Sequence, residues 1–364
     1  MITIDADFEN GSLDRAIKLG ENWYHLLLHP DTYYWFHCRV RGCKGKEIIF
    51  EISCRNRPAP GYEEGIGRWD FRNGTYNRPV ISYKNKKWEK ISFIEKASGI
   101  PGTFRFRHTF TEDEAYICYS HPYTYADLKN YLQSIKGNPL VEIKTLGETR
   151  LGNDEPVLTI TKNKKNKKLV LIISREDADE VTGSLAAEGL INHLICGKDK
   201  KVSQILEKYI FKIIPMVSID GVIAGAEYSA GYDYGGSRWH ESPAPAEIEN
   251  IKDATKKWIK QGYEMIIAGK IHGGQSCRPS RPDICSSDPE IRDALLSIKN
   301  KYWDPKADDL AIRPKGFFER YLLDEFGFRS SFYTHVQGNE PDDVRGCGKG
   351  LAKAIIAYLE KGKT

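Results

Sequence analysis

The fold of this chain is decided by residues 169–180, which read Leu169-Val170-Leu171-Ile172-Ile173-Ser174-Arg175-Glu176-Asp177-Ala178-Asp179-Glu180. Five consecutive apolar residues predict a strand that is buried on both faces, as in a sheet covered by helices. A helical pattern follows at residues 183–195, which gives the strand–turn–helix order of an α/β protein. Because ligands of such sheets bind beyond the carboxyl ends of the strands, the polar residues 174–180 are candidate site residues.

The same alternation extends through residues 121–364. The apolar runs predict strands at residues 141–146, 157–161, 169–173, 209–217, 264–271 and 329–336. Amphipathic patterns predict helices at residues 126–135, 183–195, 244–261, 291–302, 315–326 and 348–361. We therefore expect residues 121–364 to form one α/β domain with a mixed sheet covered by helices.

The first third of the chain has a different pattern. Short runs with period-two alternation predict strands at residues 23–28, 33–40, 47–54, 80–83, 87–93, 103–110 and 115–119. Strands at this spacing without helices between them predict an antiparallel β-sandwich accessory domain over residues 1–120. Residues 55–76 are rich in Gly, Arg and Tyr, which predicts a loop that either packs against the second domain or contacts a carbohydrate or protein ligand.

Composition excludes several classes of protein. The 364 residues carry 54 Lys plus Arg and 50 Asp plus Glu, and this net charge of +4 is too small for a dedicated nucleic-acid binder. No apolar run approaches the ~18 residues of a membrane span, and the first residues lack the features of a signal peptide. The eight cysteines form no CxxC pair, which favours reduced thiols in a cytoplasmic protein. Alternatively, Cys277 and Cys285 pair with each other or bind metal.

Two strand ends carry residues with metal-ligand chemistry. Asp177 and Glu180 are three residues apart at the start of a helix, a spacing that directs both toward one point. Acidic residues are also favoured there by the helix dipole, so capping is the alternative interpretation. His272 follows a strand and precedes two glycines that allow close backbone approach. Together, Asp177, Glu180 and His272 form the ligand set of a hydrolytic metal site with one open position.

Several short segments, taken in their order along the chain, resemble those of a known family. They are Phe8-Glu9-Asn10-Gly11-Ser12-Leu13, Arg78-Pro79-Val80-Ile81-Ser82-Tyr83, Phe104-Arg105-Phe106, Pro122-Tyr123-Thr124-Tyr125, Gly183-Ser184, Ile214-Pro215-Met216 and Asp220-Gly221-Val222. In this order they resemble the zinc carboxypeptidase family, in its cytosolic carboxypeptidase-like branch. The resemblance implies a zinc-carboxypeptidase-like mixed sheet covered by helices, preceded by an antiparallel β-sandwich domain.

The metal positions of the family match this sequence in part. The family's first metal motif, His-Pro-Gly-Glu, aligns with residues 177–180, so the Glu ligand is kept as Glu180 and the His ligand is replaced by Asp177. The second His ligand aligns with His272. The family's Asp two residues before that His is replaced by Lys270, which strand alternation directs to the same side as His272.

The family's substrate-binding positions match poorly. It anchors the terminal carboxylate of its substrate with an Arg, which falls on Tyr228, and an Asn-Arg pair, which falls on Gly235 and Gly236. Arg238, displaced by two residues, is the nearest guanidinium, and a bidentate clamp depends on such geometry.

The position of the family's general base has also changed. That Glu, in a Tyr-Thr-x-Glu pattern, falls on Val336, which cannot take a proton. We expect His335 to point to the opposite face of a regular strand, so that it replaces the base only through a bulge. Tyr333 and His335 are the candidate catalytic residues that remain.

Two functions from different classes follow. The first is a metal-dependent hydrolase with altered substrate, in which Asp177, Glu180 and His272 hold zinc, or manganese as a harder alternative. The second is a catalytically inactive binding or scaffold protein without metal, in which Lys270 pairs with Asp177 or Glu180.

The predicted pocket favours a small acidic or polar substrate, or a peptide, because it combines three cationic side chains with two carboxylates. Its lining is Arg175, Asp177, Glu180, Arg238, Lys270, His272 and Tyr333, of which Arg175, Arg238 and Lys270 are the candidate substrate contacts. Arg278 and Arg281 extend it as a basic rim. No membrane or nucleic-acid partner is expected, and the sequence does not indicate an oligomeric state.

Overall fold

The computed structural model describes residues 1–30, 32, 34–53, 79–96, 103–197, 199–227, 238–274, 283–297, 299, 304–307, 315–337 and 340–361. They divide into two compact units. The first unit holds Met1–Thr124 and takes in Gly221–Asp233 from later in the chain. The second unit holds Tyr125–Asp220 and most of the residues that follow. The continuous part of the first unit ends at Thr124, and the domain boundary at residue 120 stays a prediction.

The first unit contains two five-stranded sheets. Its strands are β1 (Thr3–Asp5), β2 (Arg15–Gly20), β3 (Trp23–Leu27), β4 (His37–Arg41), β5 (Glu47–Ser53), β6 (Val80–Ser82), β7 (Glu89–Lys90), β8 (Phe93–Lys96), β9 (Thr103–Thr109) and β10 (Glu114–Cys118). One sheet has the order β1-β4-β10-β6-β7 and the other the order β2-β3-β5-β9-β8. The predicted antiparallel sheet region is confirmed, except that β3 and β5 pair in parallel.

The core of the first unit follows from strand alternation. Phe104 and Phe106 of β9 are fully buried, whereas Arg105 between them is not. The ring of Phe106 stacks on that of Phe50 with centroids 5.0 Å apart. The later segment joins this unit because the side-chain amide of Asn10 donates to the carbonyl of Val222 at 2.8 Å.

The second unit contains one eight-stranded sheet and seven helices among the residues described, and a further short helix, α4 (Ile219–Ile223), begins in this unit and ends in the later segment of the first unit. The other elements are α1 (Tyr125–Ile135), β11 (Val141–Glu148), β12 (Asp154–Ile160), β13 (Lys168–Ser174), α2 (Val181–Ile195), α3 (Lys200–Lys208), β14 (Ile210–Ile214), α5 (Ala246–Lys260), β15 (Glu264–Gly274), β16 (Asp283–Ser286), α6 (Pro289–Ser297), β17 (Lys306–Ala307), α7 (Phe318–Phe326), β18 (Ser331–Gln337) and α8 (Pro341–Glu360). The strand order is β11-β12-β14-β13-β15-β18-β16-β17. β13 runs parallel to β14 and β15, whereas β12 and β16 pair antiparallel with their inner neighbours, so the predicted mixed sheet is confirmed.

The sheet is buried where the apolar runs predicted it. Residues 169–173 of β13 are all fully buried, and one face packs Leu171 and Ile173 against Trp258 of α5 and Phe318 of α7. α2 is buried along most of its length because apolar and small residues occupy nearly all its positions. Among the described helices, none is both long enough and apolar enough for a bilayer crossing.

Candidate metal centre

The connection between β13 and α2 carries the two acidic residues predicted as metal ligands. Glu180 is the N-cap residue of α2, but its side chain makes no capping hydrogen bond. Its Oε2 instead accepts a hydrogen bond from the backbone N–H of Gly273 at 3.3 Å. The capping interpretation is therefore corrected for Glu180, because its carboxylate is turned toward β15 and not toward its own helix.

A glycine of β15 lets α2 begin close to His272. A Cβ on Gly273 would come within 2.7 Å of Thr182 Oγ1 and within 2.8 Å of the carbonyl oxygen of Glu180. This close approach brings Oε1 of Glu180 into contact with Nδ1 of His272. One ligand atom from each of Asp177, Glu180 and His272 lies within 4.8 Å of the other two. The structure thus brings together the three residues predicted as metal ligands.

The two carboxylates at this point are shielded from water. Asp177 is 9% exposed and Glu180 is 4% exposed. Burial, and after it the neighbouring charge of Asp177, raises the pKa of Glu180 well above its usual value. Oδ1 of Asp177 is buried and accepts no hydrogen bond from the described residues. A cation at this point would relieve the repulsion between the two carboxylates.

Lys270 binds a carboxylate that sequence reasoning did not single out. Its Nζ lies 2.5 Å from Oε2 of Glu176, and both side chains are 1% exposed. Burial alone would lower the pKa of Lys270, but the carboxylates of Glu176, Asp177 and Glu180 outweigh it and raise that pKa. The expected pairing of Lys270 with Asp177 or Glu180 is corrected, and its burial opposes the predicted contact with substrate.

A buried tryptophan also binds the Glu176 carboxylate of this ion pair. Nε1 of Trp239 donates to Oε1 of Glu176 at 2.8 Å, and the indole is 1% exposed. Its ring packs on that of Phe318 with centroids 4.8 Å apart. The signal that would have found Glu176 was Lys270 itself, since a lysine inside an apolar strand requires a buried anionic partner.

Arg175 stabilises the ligand-bearing loop. It is fully buried, and its Nε and Nη2 donate to the carbonyl of Ala178 at 2.8 and 2.6 Å. Its φ of 57° is in the left-handed region, a conformation that costs about 1 kcal/mol or more in a non-glycine residue. The prediction of Arg175 as a substrate contact is corrected, because its guanidinium holds the loop that carries Asp177.

Arg238 is the other predicted guanidinium. Its Nη1 lies 3.1 Å from Oε2 of Glu241, in a partly exposed pair next to Trp239. A guanidinium held by Glu241 is a weak candidate for a carboxylate clamp. Several further positions lie outside the described residues, namely residues 55–76, Tyr228, Gly235, Gly236, Cys277, Arg278 and Arg281.

Strand β18 directs His335 toward His272, where Val336 was expected. β15 and β18 pair in parallel without a register shift, and His335 lies beside His272. The rings of His335 and His272 stack with centroids 4.7 Å apart, and the ring of Tyr333 is 5.1 Å from that of His272. Val336 is fully buried. The expectation that His335 points away from the site is therefore wrong, because the residue of this regular strand that faces His272 is His335 and not Val336.

Comparison with known protein families covers both units. The model described as zinc carboxypeptidase matches residues 128–280. The model described as cytosolic carboxypeptidase N-terminal domain matches residues 4–120.

The curated relatives carry the same family name. Cytosolic carboxypeptidase 3 of Bos taurus is 27% identical over 251 residues, which cover 62% of this chain and 24% of the relative. Cytosolic carboxypeptidase 2 of Xenopus tropicalis is 28% identical over 253 residues, which cover 62% of this chain and 25% of the relative. The match to this chain thus spans about a quarter of the length of these relatives.

Solved structures show the same fold over almost the whole chain. A metallo-carboxypeptidase from Burkholderia cenocepacia superposes with a TM-score of 0.78 at 17% identity, covering 99% of this chain and 100% of that one. A metallo-carboxypeptidase from Pseudomonas aeruginosa superposes with a TM-score of 0.76 at 16% identity, covering 99% of each chain. From the two family models and these relatives, the chain belongs to the zinc carboxypeptidase family, in the branch that resembles cytosolic carboxypeptidases.

Proposed function

We propose that this chain is a metal-dependent hydrolase whose zinc ligands are Asp177, Glu180 and His272. The observation that carries the proposal is the convergence of one ligand atom from each of the three residues within 4.8 Å. Two carboxylate oxygens and one imidazole nitrogen are donors that zinc accepts, and three protein ligands leave a position open for water or substrate.

The surroundings of the three residues fit a cation. Oδ1 of Asp177 is a buried acceptor without a donor in the described part of the chain. Lys270 forms its ion pair with Glu176 at 2.5 Å, and its single charge offsets only part of the charge of Asp177 and Glu180. Because two of the three ligands are hard anionic oxygens, manganese is the alternative metal.

The remaining chemistry falls to this chain's own side chains. When bound, zinc would polarise a substrate carbonyl and lower the pKa of its water. His335 faces the site beside His272 and is the side chain that would accept a proton there. The hydroxyl of Tyr333, on the same face of β18, would orient the substrate.

The substrate that we propose is a small acidic or polar molecule, or a peptide, and neither Arg175 nor Arg238 clamps it in a bidentate manner. Arg175 donates to the backbone of its own loop and Arg238 pairs with Glu241. Neither presents the planar fork that holds a terminal carboxylate. Since the relatives named cytosolic carboxypeptidases are about four times as long as the matched part, their activity is no guide to this substrate. Their name does support a cytosolic location.

A second candidate function is a binding protein without catalysis. It is favoured by the buried Glu176–Lys270 pair, because a fixed cation beside Asp177 and Glu180 offsets part of their charge without a metal. In this case the same site would bind a ligand without converting it to a product.

Metal content tests the proposal directly. The wild-type chain, His272→Ala and a control His29→Ala from the first unit are purified without chelator, dialysed against trace zinc and analysed by elemental mass spectrometry. We expect about one zinc per chain in the wild type and in His29→Ala, and its loss in His272→Ala. A wild-type chain without bound metal overturns the zinc site and leaves the binding function.

Activity separates the two candidates once metal is present. Zinc-loaded protein is screened with esters, amides and acyl-amino acids, alongside His335→Phe, which keeps an aromatic ring beside His272. A hydrolase loses turnover in His335→Phe and keeps its zinc content. Zinc-loaded wild type that hydrolyses none of these compounds favours the binding protein.

A further inference from the structure

A second buried lysine lies on β14, on the side of the sheet covered by α5. Lys212 is 8% exposed, and its Nζ donates to Oγ1 of Thr159 at 3.1 Å. The same Nζ lies 4.6 Å from the ring centroid of Trp258 and 5.6 Å from that of Tyr263. The ammonium thus sits in a mostly apolar environment bounded by two aromatic faces.

Other cations surround this ammonium. Nζ of Lys167, in the basic loop 162–168, lies 4.2 Å from the Tyr263 ring, so two ammonium groups share that ring. Lys144 of β11 also acts on Lys212, and the carboxylate of Glu142 lies 3.0 Å from Lys144. Burial first, and then the charges of Lys144 and Lys167 against that of Glu142, lowers the pKa of Lys212 to about 8.

We propose that Lys212 is a site of reversible carbamylation, at which Nζ adds carbon dioxide. The lone pair of the uncharged amine attacks the carbon of CO₂ and forms an N–C bond. One C=O π bond opens onto oxygen, and nitrogen releases a proton to water. The product is a lysine carbamate with one negative charge, and the reverse steps regenerate amine and CO₂. This inference does not depend on the proposed metal site.

The two neighbouring lysines favour both the reaction and its product, whereas the electron-rich faces of Trp258 and Tyr263 favour the ammonium. A pKa near 8 raises the uncharged fraction of the amine at neutral pH by roughly two orders of magnitude over an ordinary lysine. The rings of Trp258 and Tyr263 screen the amine from large acyl donors, whereas CO₂ is small and uncharged. The carbamate would turn repulsion by Lys144 and Lys167 into attraction, and the Thr159 hydroxyl would donate to it.

The experiment traps the carbamate and locates it. Full-length protein is equilibrated with ¹³C-bicarbonate near pH 8, treated with triethyloxonium to alkylate the carbamate, digested and mapped by mass spectrometry. The comparison includes Lys212→Arg, which keeps the cation without a carbamylating amine, and a control Lys165→Arg at an exposed position of the basic loop. We expect the trapped label on the Lys212 peptide in the wild type and in Lys165→Arg, and its complete loss in Lys212→Arg.

A second variant tests the stabilising role of the neighbours. A Lys144→Gln/Lys167→Gln variant should retain less label on Lys212, by several-fold, because the carbamate loses both cations. Absence of label from the Lys212 peptide of the wild type, with the label confined to other amines or missing, overturns the proposal. That outcome is read on the wild-type chain and so does not depend on the folding of any variant.

Discussion

Two buried lysines on one sheet have pKa values that are shifted in opposite directions. Lys270 on β15 is 1% exposed and Lys212 on β14 is 8% exposed, so water is withdrawn from both ammonium groups. The carboxylates around Lys270 outweigh burial and raise its pKa. The lysines around Lys212 add to burial and lower its pKa to about 8. Burial lowers the pKa of both lysines, and the sign of the neighbouring charges decides whether that effect is reversed, as at Lys270, or reinforced, as at Lys212.

The difference separates two kinds of site in the second unit. Around Lys270 the carboxylates outnumber the cation that they hold, which suits a metal ion at Asp177, Glu180 and His272. Around Lys212 the cations exceed the single carboxylate of Glu142, which suits an anionic group. Substitutions at either lysine or at its neighbours test this comparison.

The largest loss of stability is expected from Lys270→Met. The substitution leaves the Glu176 carboxylate buried without its cation, and removal of one partner of a buried ion pair costs about 3–5 kcal/mol of the free energy of unfolding. Chemical denaturation of the metal-free protein measures the loss.

Two further variants show whether the loss belongs to the buried pair. Lys256→Met removes an exposed pair with Glu325 and should change the free energy of unfolding by less than about 0.5 kcal/mol. The double variant Glu176→Gln/Lys270→Met should recover most of the stability, because no buried charge remains unpaired. A double variant no more stable than Lys270→Met would instead assign the loss to packing.

The second-largest expected effect is a dependence of the free energy of unfolding on pH, caused by Lys212. Because the pKa of Lys212 is about 8 in the folded chain and 10.5 in an ordinary lysine, the unfolded chain binds more protons between these values. The free energy of unfolding of the wild type should therefore rise with pH across this window relative to Lys212→Met. The difference is up to about 2 kcal/mol after allowance for solvent screening. Denaturant curves of both proteins at pH 7.5 and pH 10 measure it, and parallel stabilities would contradict the lowered pKa.

The fold was predictable wherever a strand or helix carries its own periodic signal. Residues 169–173 predicted β13, which extends over Lys168–Ser174, and residues 183–195 predicted most of α2. The helix α3 (Lys200–Lys208) was missed although Val202, Ile205 and Leu206 carry a helical apolar pattern, because nine residues give that pattern little more than two turns. β2 was missed because its residues are largely exposed and do not alternate.

The site was predictable as a set of residue types and less so as a set of contacts. Asp177 and Glu180 follow β13, and His272 lies near the carboxyl end of the neighbouring strand β15, so their convergence could be inferred. The partner of Lys270 could not, because Glu176 and Asp177 are adjacent and only the folded loop decides which one turns inward. His335 was misplaced because the expected base position at Val336 was taken to face the site, and consecutive residues of a strand point to opposite faces.

A smaller effect is expected from Trp239→Phe. The substitution keeps the ring packed on Phe318 but removes the indole N–H that donates to Glu176. The loss of one hydrogen bond to a buried charged acceptor costs about 1–2 kcal/mol of the free energy of unfolding. The same substitution on a Glu176→Gln background should cost less, because the acceptor is then neutral. Equal costs on both backgrounds would show that the loss comes from ring packing.

The smallest change in stability is expected from Lys144→Gln, which isolates the contribution of a neighbouring charge to Lys212. Because Lys144 is largely exposed, its removal should change the free energy of unfolding by less than about 0.5 kcal/mol. It deletes a repelling cation and also frees Glu142, whose carboxylate then attracts the ammonium. Both changes raise the pKa of Lys212 toward that of an ordinary lysine, which NMR titration of labelled lysine side chains would measure. An unaltered pKa would mean that burial and Lys167 lower the pKa of Lys212 without a contribution from Lys144.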